Sequence, residues 1–130
     1  MSKPSPSIDA WLKEAKQHES AGKIGMYLTH SGVVRETPKT QVRSGDKNAA
    51  SVTGMTFSFD AEKVDAAVQE ARRMDGIYYV RVWLNEGELN VGDDIMAVLV
   101  GGDIRPHVVS CMQFLIDTIK TTCVTEDEHY

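Results

Sequence analysis

The stretch IMAVLV at residues 95–100, followed by GGDIRP at residues 101–106, decides how this sequence folds. An uninterrupted apolar run of this length is short for a helix and matches a strand that is buried on both faces. The two glycines and Asp103 then supply a turn, and Pro106 is favoured in the first turn of a helix. The stretch therefore predicts a buried strand that leads through a tight turn into a helix.

The helix predicted after this turn carries an apolar face at helical spacing. Its inward side chains are predicted to be Val108, Val109, Met112, Leu115, Ile116 and Ile119. Lys120 is expected in the last turn, where a cation complements the helix dipole. Residues 121–130 are polar and acidic, and we expect them to fray.

Three further strands are predicted upstream, at residues 24–34, 52–59 and 77–84, where β-branched and aromatic residues are frequent. One helix is expected after Ser7 and another after Asp60, because each is a good N-cap before an apolar stripe. Strands and helices do not alternate regularly along the chain. The predicted fold class is therefore α+β, with about three helices on a mainly antiparallel or mixed sheet.

The connecting segments are polar. Residues 36–50 indicate a long loop, and residues 85–93 carry two turn signals in succession. We expect a single domain over residues 1–130, with a mobile Pro- and Ser-rich start at residues 1–7 and an acidic tail at residues 122–130.

The composition excludes several classes of protein. With 14 Lys and Arg against 19 Asp and Glu in 130 residues, the net charge of −5 argues against general nucleic-acid binding. No apolar stretch is long enough to span a bilayer, so no membrane association is expected. Cys111 and Cys123 have neither the spacing of a disulfide framework nor that of a zinc site. A cytoplasmic location is the natural expectation.

The common catalytic motifs are also absent from the sequence. It contains no phosphate-binding loop, dinucleotide-binding fingerprint, zinc-protease motif or serine-hydrolase motif. The four histidines are scattered, so we expect neither a bound metal nor a cofactor.

Three basic residues are candidates for a functional site. Arg105 stands where a flexible turn meets a helix N-terminus, which suits an anion such as phosphate, although an ordinary strand-to-helix connection has the same pattern. Lys120 could serve catalysis if it were partly buried, and otherwise only complements the helix dipole. Arg35 ends a predicted strand just before the long loop, from where side chains often reach into a site, although an exposed arginine at a strand end is the more frequent case.

Arg105 and Lys120 cannot contact the same small ligand from one chain. They are fifteen residues apart on the predicted helix, which at 1.5 Å per residue separates them by about 22 Å. If both are functional, they serve different sites, or Arg105 of one subunit faces Lys120 of another across a symmetric interface.

Three motifs resemble one known family, the large, catalytic subunit of molybdopterin synthase. THSGVVR at residues 29–35 is similar to its first-strand motif, and GELNVGDD at residues 87–94 is similar to its Gly-Glu-Leu turn. QFLIDTIKT at residues 113–121 is similar to its last-helix motif, and the spacing from Gly92 to Lys120 fits without a gap. The resemblance covers residues 24–122 and identifies the chain as a divergent member.

The resemblance implies a cytoplasmic sulfurtransferase of molybdenum cofactor biosynthesis that converts cyclic pyranopterin monophosphate to molybdopterin. It also implies a homodimer, extended to a heterotetramer by a small ubiquitin-like sulfur-carrier subunit whose Gly-Gly tail ends in a thiocarboxylate. On this likeness Lys120 would be the catalytic lysine, Arg35 would bind the pterin phosphate, and Arg105 would reach it from the neighbouring subunit.

The sequence also departs from the family pattern. Ile104 stands where the family usually has a histidine, and Asp127 stands where it has a second lysine. A basic and aromatic tail that usually follows is expected to be missing. An alternative hypothesis is therefore a non-catalytic paralogue, a dimeric binding or regulatory module for a ubiquitin-like sulfur carrier.

Overall fold

The computed structural model describes residues 3–36 and 52–130 of the chain. Its helices and strands are α1 (Ile8–Lys16), a 3₁₀ turn (Ala21–Lys23), β1 (Met26–Val33), β2 (Gly54–Phe59), α2 (Ala61–Arg72), β3 (Ile77–Leu84), β4 (Gly87–Asn90), β5 (Asp94–Gly102), α3 (Arg105–Thr118), a π-helical turn (Ile119–Cys123) and β6 (Val124–His129). No helix in these residues is long and apolar enough to cross a membrane.

The described strands form two antiparallel sheets. One sheet has the order β1-β5-β3, and the other has the order β4-β2-β6. Helices α2 and α3 pack against each other and against the first sheet. The predicted α+β class, with three α-helices and antiparallel sheets, is confirmed.

Strand β5 is the centre of the structure. The residues from Ile95 to Gly102 are all buried, as the apolar run predicts. Alternate side chains of β5 point to opposite faces of the sheet. On one face Ala97 and Leu99 pack against α1, and on the other Val98 joins the main core beneath α2 and α3.

The helices begin where the sequence predicts. Ser7 caps α1 by accepting a hydrogen bond from the backbone N–H of Ala10, and the Asp60 carboxylate caps α2 in the same way. Helix α3 has no side-chain cap, and Pro106 lies in its first turn. The inward face predicted for α3 was wrong at Val109, which is 43% exposed, while Cys111 is buried in the core. Burial raises the pKa of the Cys111 thiol to about 11.

The turn between α2 and β3 depends on Gly76. Its φ of +75° lies in the left-handed region, and an added Cβ would lie 2.2 Å from Oδ1 of Asp103 and from Nδ1 of His107. Gly76 therefore lets β3 begin in close contact with the first turn of α3.

Two predicted irregular segments were wrong, because each forms a strand of the second sheet. Within residues 85–93, expected to hold only turns, Gly87–Asn90 forms β4. Within residues 121–130, expected to fray, Val124–His129 forms β6 and pairs with β2 along its whole length. Pairing between distant strands stabilises both segments although their composition is polar. The predicted loop at residues 36–50 lies outside the described residues, apart from Glu36.

Asn85 links three parts of the chain. It is 2% exposed and is the one buried polar or charged residue among the described residues. Its Oδ1 accepts hydrogen bonds from the backbone N–H groups of Lys3 (2.8 Å) and Glu86 (2.9 Å), and its Nδ2 donates to the carbonyl of Asp94 (2.8 Å). The N-terminal segment, expected to be mobile, is thus held at Lys3 against the beginning of β5.

We predict that Asn85→Ala lowers the free energy of unfolding by about 2 kcal/mol, because three partly buried backbone groups lose their hydrogen-bond partner. Urea unfolding of the purified protein measures the change. The matched control is Asn90→Ala at an exposed position, which should change the free energy by no more than about 0.5 kcal/mol. Equal effects of the two substitutions would contradict this role of Asn85.

Candidate functional site

A cavity of about 300 Å³ lies where the end of β1 meets the π-helical turn and β6. Its polar lining residues are His30, Ser31, Arg35, Lys120, Glu126 and Glu128. Its apolar lining comes from Gly32, Val33, Met55, Ile95 and Met96. Residues that are distant in the sequence thus meet in one concave site with both apolar walls and charged groups, which is typical of a small-molecule site.

Lys120 lies in the π-helical turn that follows α3, and not in the last turn of the helix as predicted. Ile119 and Cys123 at the two ends of this turn are buried. The hydroxyls of Thr121 and Thr122 donate to backbone carbonyls four residues back, at 2.8 and 2.7 Å. These contacts fix the backbone around Lys120, and its side chain lines the cavity with 37% of its surface exposed.

Glu126 approaches Lys120 from β6. Side chains alternate along this strand, so that Glu126 and Glu128 face the cavity while Asp127 is exposed on the other side. The Glu126 side chain is only 9% exposed, and its Oε1 lies 3.9 Å from Nζ of Lys120. This separation is that of an ion pair rather than of a close hydrogen bond.

His30 lies on β1 opposite Val98 of β5 and lines the same cavity. Burial lowers the pKa of His30, and the nearby Lys120 ammonium lowers it further. At neutral pH the imidazole is therefore uncharged and presents one donor and one acceptor nitrogen.

Arg35 lies at the rim of the cavity, just after β1. The preceding residue, Val34, is buried, and its N–H donates to the carbonyl of Asp93 at 3.0 Å. The Val34 carbonyl accepts a hydrogen bond from the N–H of Gly92 at 2.8 Å. The backbone before Arg35 is therefore fixed, and its exposed guanidinium lies within the lining of the cavity that contains Lys120.

Arg105 does not line this cavity. It begins α3 and is exposed at the opposite end of the first sheet, next to the pairing of Met26 with Gly102. The cavity lies near the pairing of Gly32 with Met96, six residues further along β1 and about 20 Å away. The structure thus brings Arg35 and Lys120 together and separates Arg105 from both within one chain.

Beside Arg105, His107 and Asp103 form a polar pair. Their Nδ1 and Oδ1 atoms are 2.7 Å apart, and Asp103 also accepts a hydrogen bond from the N–H of Ile104 at 2.6 Å. The hydrogen bond from His107 is the main reason that the pKa of Asp103 is lowered. The beginning of α3 is thus held in a defined geometry next to Arg105.

The sequence analysis missed His30, Glu126 and Glu128 as lining residues. No local signal marks the two glutamates, because every residue of VTEDEH after Val124 is polar and the segment shows no apolar alternation. Among residues 3–36 and 52–130, no group of three or more His, Cys, Asp or Glu side chains is arranged to hold a metal ion.

Comparisons with known proteins agree with this fold. The molybdopterin biosynthesis MoaE protein from Burkholderia ambifaria MC40-6 has a TM-score of 0.73 at 19% identity, covering 98% of this chain and 83% of that chain. The molybdopterin cofactor biosynthesis protein E from Burkholderia multivorans ATCC 17616 has a TM-score of 0.71 at 21% identity, covering 95% and 81%.

A third solved structure is a complex. It is the protein-protein complex of subunits 1 and 2 of the molybdopterin-converting factor from Helicobacter pylori 26695, with a TM-score of 0.66 at 13% identity, covering 95% of this chain and 79% of that chain. Among curated protein sequences, no significant match is found. The family model described as MoaE protein matches residues 5–122. The chain therefore belongs to the MoaE family.

Proposed function

We propose that this protein is the large subunit of a molybdopterin synthase, which converts cyclic pyranopterin monophosphate to molybdopterin in the cytoplasm. The sulfur comes from the thiocarboxylate at the Gly-Gly tail of a small ubiquitin-like subunit. The observation that carries the proposal is that Arg35 and Lys120, far apart in the sequence, line one cavity in a chain of the MoaE family. The cavity volume of about 300 Å³ lies within the range of small-molecule sites.

The proposed roles follow from the position of each cation. Arg35 at the rim can form two parallel hydrogen bonds to a phosphate, since a guanidinium matches that geometry. Lys120, whose ammonium lies beside His30 and Glu126, is the catalytic residue that contacts the reacting group. The Helicobacter pylori complex supports a two-subunit assembly with a small partner.

The proposal includes a homodimer in which Arg105 completes the site of the neighbouring subunit. Arg105 and the cavity lie at opposite ends of the same sheet, so Arg105 cannot reach the ligand of its own chain. A two-fold interface that runs antiparallel along this sheet would place Arg105 of each subunit beside the cavity of the other.

A second candidate function is a binding module for the sulfur carrier that does not perform the reaction. One observation favours it, namely that two carboxylates, Glu126 and Glu128, face the cavity proposed for an anionic substrate. The two functions differ in whether the chain, once supplied with its partner and the pterin, forms product.

We predict that Lys120→Arg reduces the rate of product formation at least about 100-fold. The bulkier, planar guanidinium cannot take the place of the compact lysine ammonium beside the reacting group. The substitution keeps a cation opposite Glu126, so the melting temperature should change by less than about 2 °C. The assay mixes the purified chain with thiocarboxylated small subunit and cyclic pyranopterin monophosphate.

The control is Lys63→Arg, at an exposed position on α2, which should retain full turnover. Activity of Lys120→Arg within threefold of wild type would contradict the catalytic role of Lys120. A folded wild-type chain that binds the small subunit but forms no product would support the binding module instead.

We predict that Arg105→Ala and Lys120→Arg chains, each inactive alone, recover about one quarter of wild-type activity when they are unfolded and refolded together in equal amounts. Half of the resulting dimers are mixed, and each mixed dimer has one site with both residues intact. The matched control combines Arg35→Ala with Lys120→Arg, whose residues line the same cavity of one chain, and should recover nothing. No recovery in the first mixture would contradict a site shared between subunits.

We predict that His30 makes the protein less stable in mild acid. Because the pKa of His30 is lower in the folded chain than its ordinary value of 6.5, the unfolded chain binds more protons as the pH falls below 6.5. The free energy of unfolding should therefore fall more in wild type than in His30→Gln between about pH 7.5 and about pH 5.5. Urea unfolding at the two pH values measures this, and equal losses in both proteins would contradict it.

A further inference from the structure

The contact between Lys120 and Glu126 places a carboxylate where it is poorly solvated. The Glu126 side chain is 9% exposed, whereas that of Lys120 is 37% exposed. A carboxylate removed from water is costly unless a cation or hydrogen-bond donors compensate it. The Lys120 ammonium, 3.9 Å away, is such a compensating group.

The backbone on both sides of this contact is held firmly. Strand β6 pairs with β2 from Gly54 to Phe59, and Glu126 is opposite Phe57 in this pairing. At the two ends of β6, the N–H of Thr53 donates to His129 and the N–H of Asp60 donates to Cys123, at 2.7 and 2.8 Å. The backbone that carries Glu126 is therefore fixed opposite the turn that carries Lys120.

Among residues 3–36 and 52–130, four charged or titratable groups besides Lys120 line the cavity. His30 and Arg35 approach from the side of β1, and Glu126 and Glu128 approach from β6. The part of the lining that the structure describes thus carries two cations and two carboxylates. Lys120 is in contact with Glu126, and Arg35 lines the same cavity from the end of β1.

We propose that Glu126 is a positioning residue that keeps Lys120 protonated and directed into the cavity. Lys120 then acts on the reacting group as an ammonium ion, and the phosphate of the substrate is bound at Arg35. This inference rests on the proposed function for the role of Lys120, but the state of Lys120 itself can be measured without any reaction.

The first test measures how fast Lys120 is labelled by reductive methylation, since only the unprotonated amine reacts. In Glu126→Gln, which keeps the size of the side chain and removes its charge, labelling of Lys120 at about pH 8 should be about tenfold faster than in wild type. Mass spectrometry of the full-length protein after digestion gives the rate for each lysine, and the exposed Lys63 serves as the internal reference.

Two variants control this measurement. Asp127→Asn removes the same charge from the exposed side of the same strand and should leave the labelling of Lys120 within twofold of wild type. Glu126→Asp keeps the carboxylate and should keep the slow labelling, which separates the effect of charge from that of a disturbed strand. If Lys120 in folded Glu126→Gln is labelled at the wild-type rate, or if Asp127→Asn has an equal effect, the inference is overturned.

The second test uses the proposed reaction. Glu126→Gln should lower kcat about tenfold and change KM for the pterin less than about twofold, because the phosphate is bound at Arg35. A rise in KM with unchanged kcat would overturn the division of roles between Lys120 and Arg35. If wild type forms no product while the labelling of Lys120 still depends on Glu126, the proposed function fails and the positioning of Lys120 by Glu126 stands.

Discussion

The burial of β5 on both faces of its sheet is the constraint on which the rest of the structure depends. A strand with apolar side chains on both faces needs a cover on each side. Helix α1 covers one face through Trp11 and Ala15, and the main core beneath α2 and α3 covers the other. Strands β1 and β3 take up the backbone hydrogen bonds at its two edges. Each of these elements contacts β5 or packs against an element that does.

This arrangement also sets the distance between the two proposed parts of the site. The cavity lies near the start of β5, beside Ile95 and Met96, and α3 begins just after its end. A strand advances about 3.3 Å per residue, so the length of β5 separates Arg105 from Lys120 even though α3 returns along the sheet. The separation of Arg105 from Lys120 that helix length predicts is therefore also imposed by the length of β5. A site that uses both residues needs two chains.

How much could be predicted from the sequence depended on whether the signal was local. The apolar run of β5, the Asp60 cap of α2 and Pro106 of α3 are local signals, and each element was predicted close to its observed bounds. Strand β6 was missed because VTEDEH is polar, and its stability comes from pairing with β2, which is distant in the sequence. Arg35 and Lys120 were found through motifs, but their convergence depends on the packing of α3 against β1, and the approach of Glu126 depends on the pairing of β6 with β2.

The acidic segment at residues 126–128 has a different meaning once β6 is known. From the sequence alone, Asp127 stands where the family has a lysine, which suggests that the charge of the site is reversed. Strand alternation instead turns Asp127 to the exposed side and brings Glu126 and Glu128 into the cavity. Because Glu126 contacts Lys120, its carboxylate acts on the site through that lysine. The net charge of −5 belongs to the whole chain and says little about the charge inside the cavity. A ligand responds to the charges of the few side chains that face it. In this site, the alternation of side chains along β6 determines which of its acidic residues face the cavity.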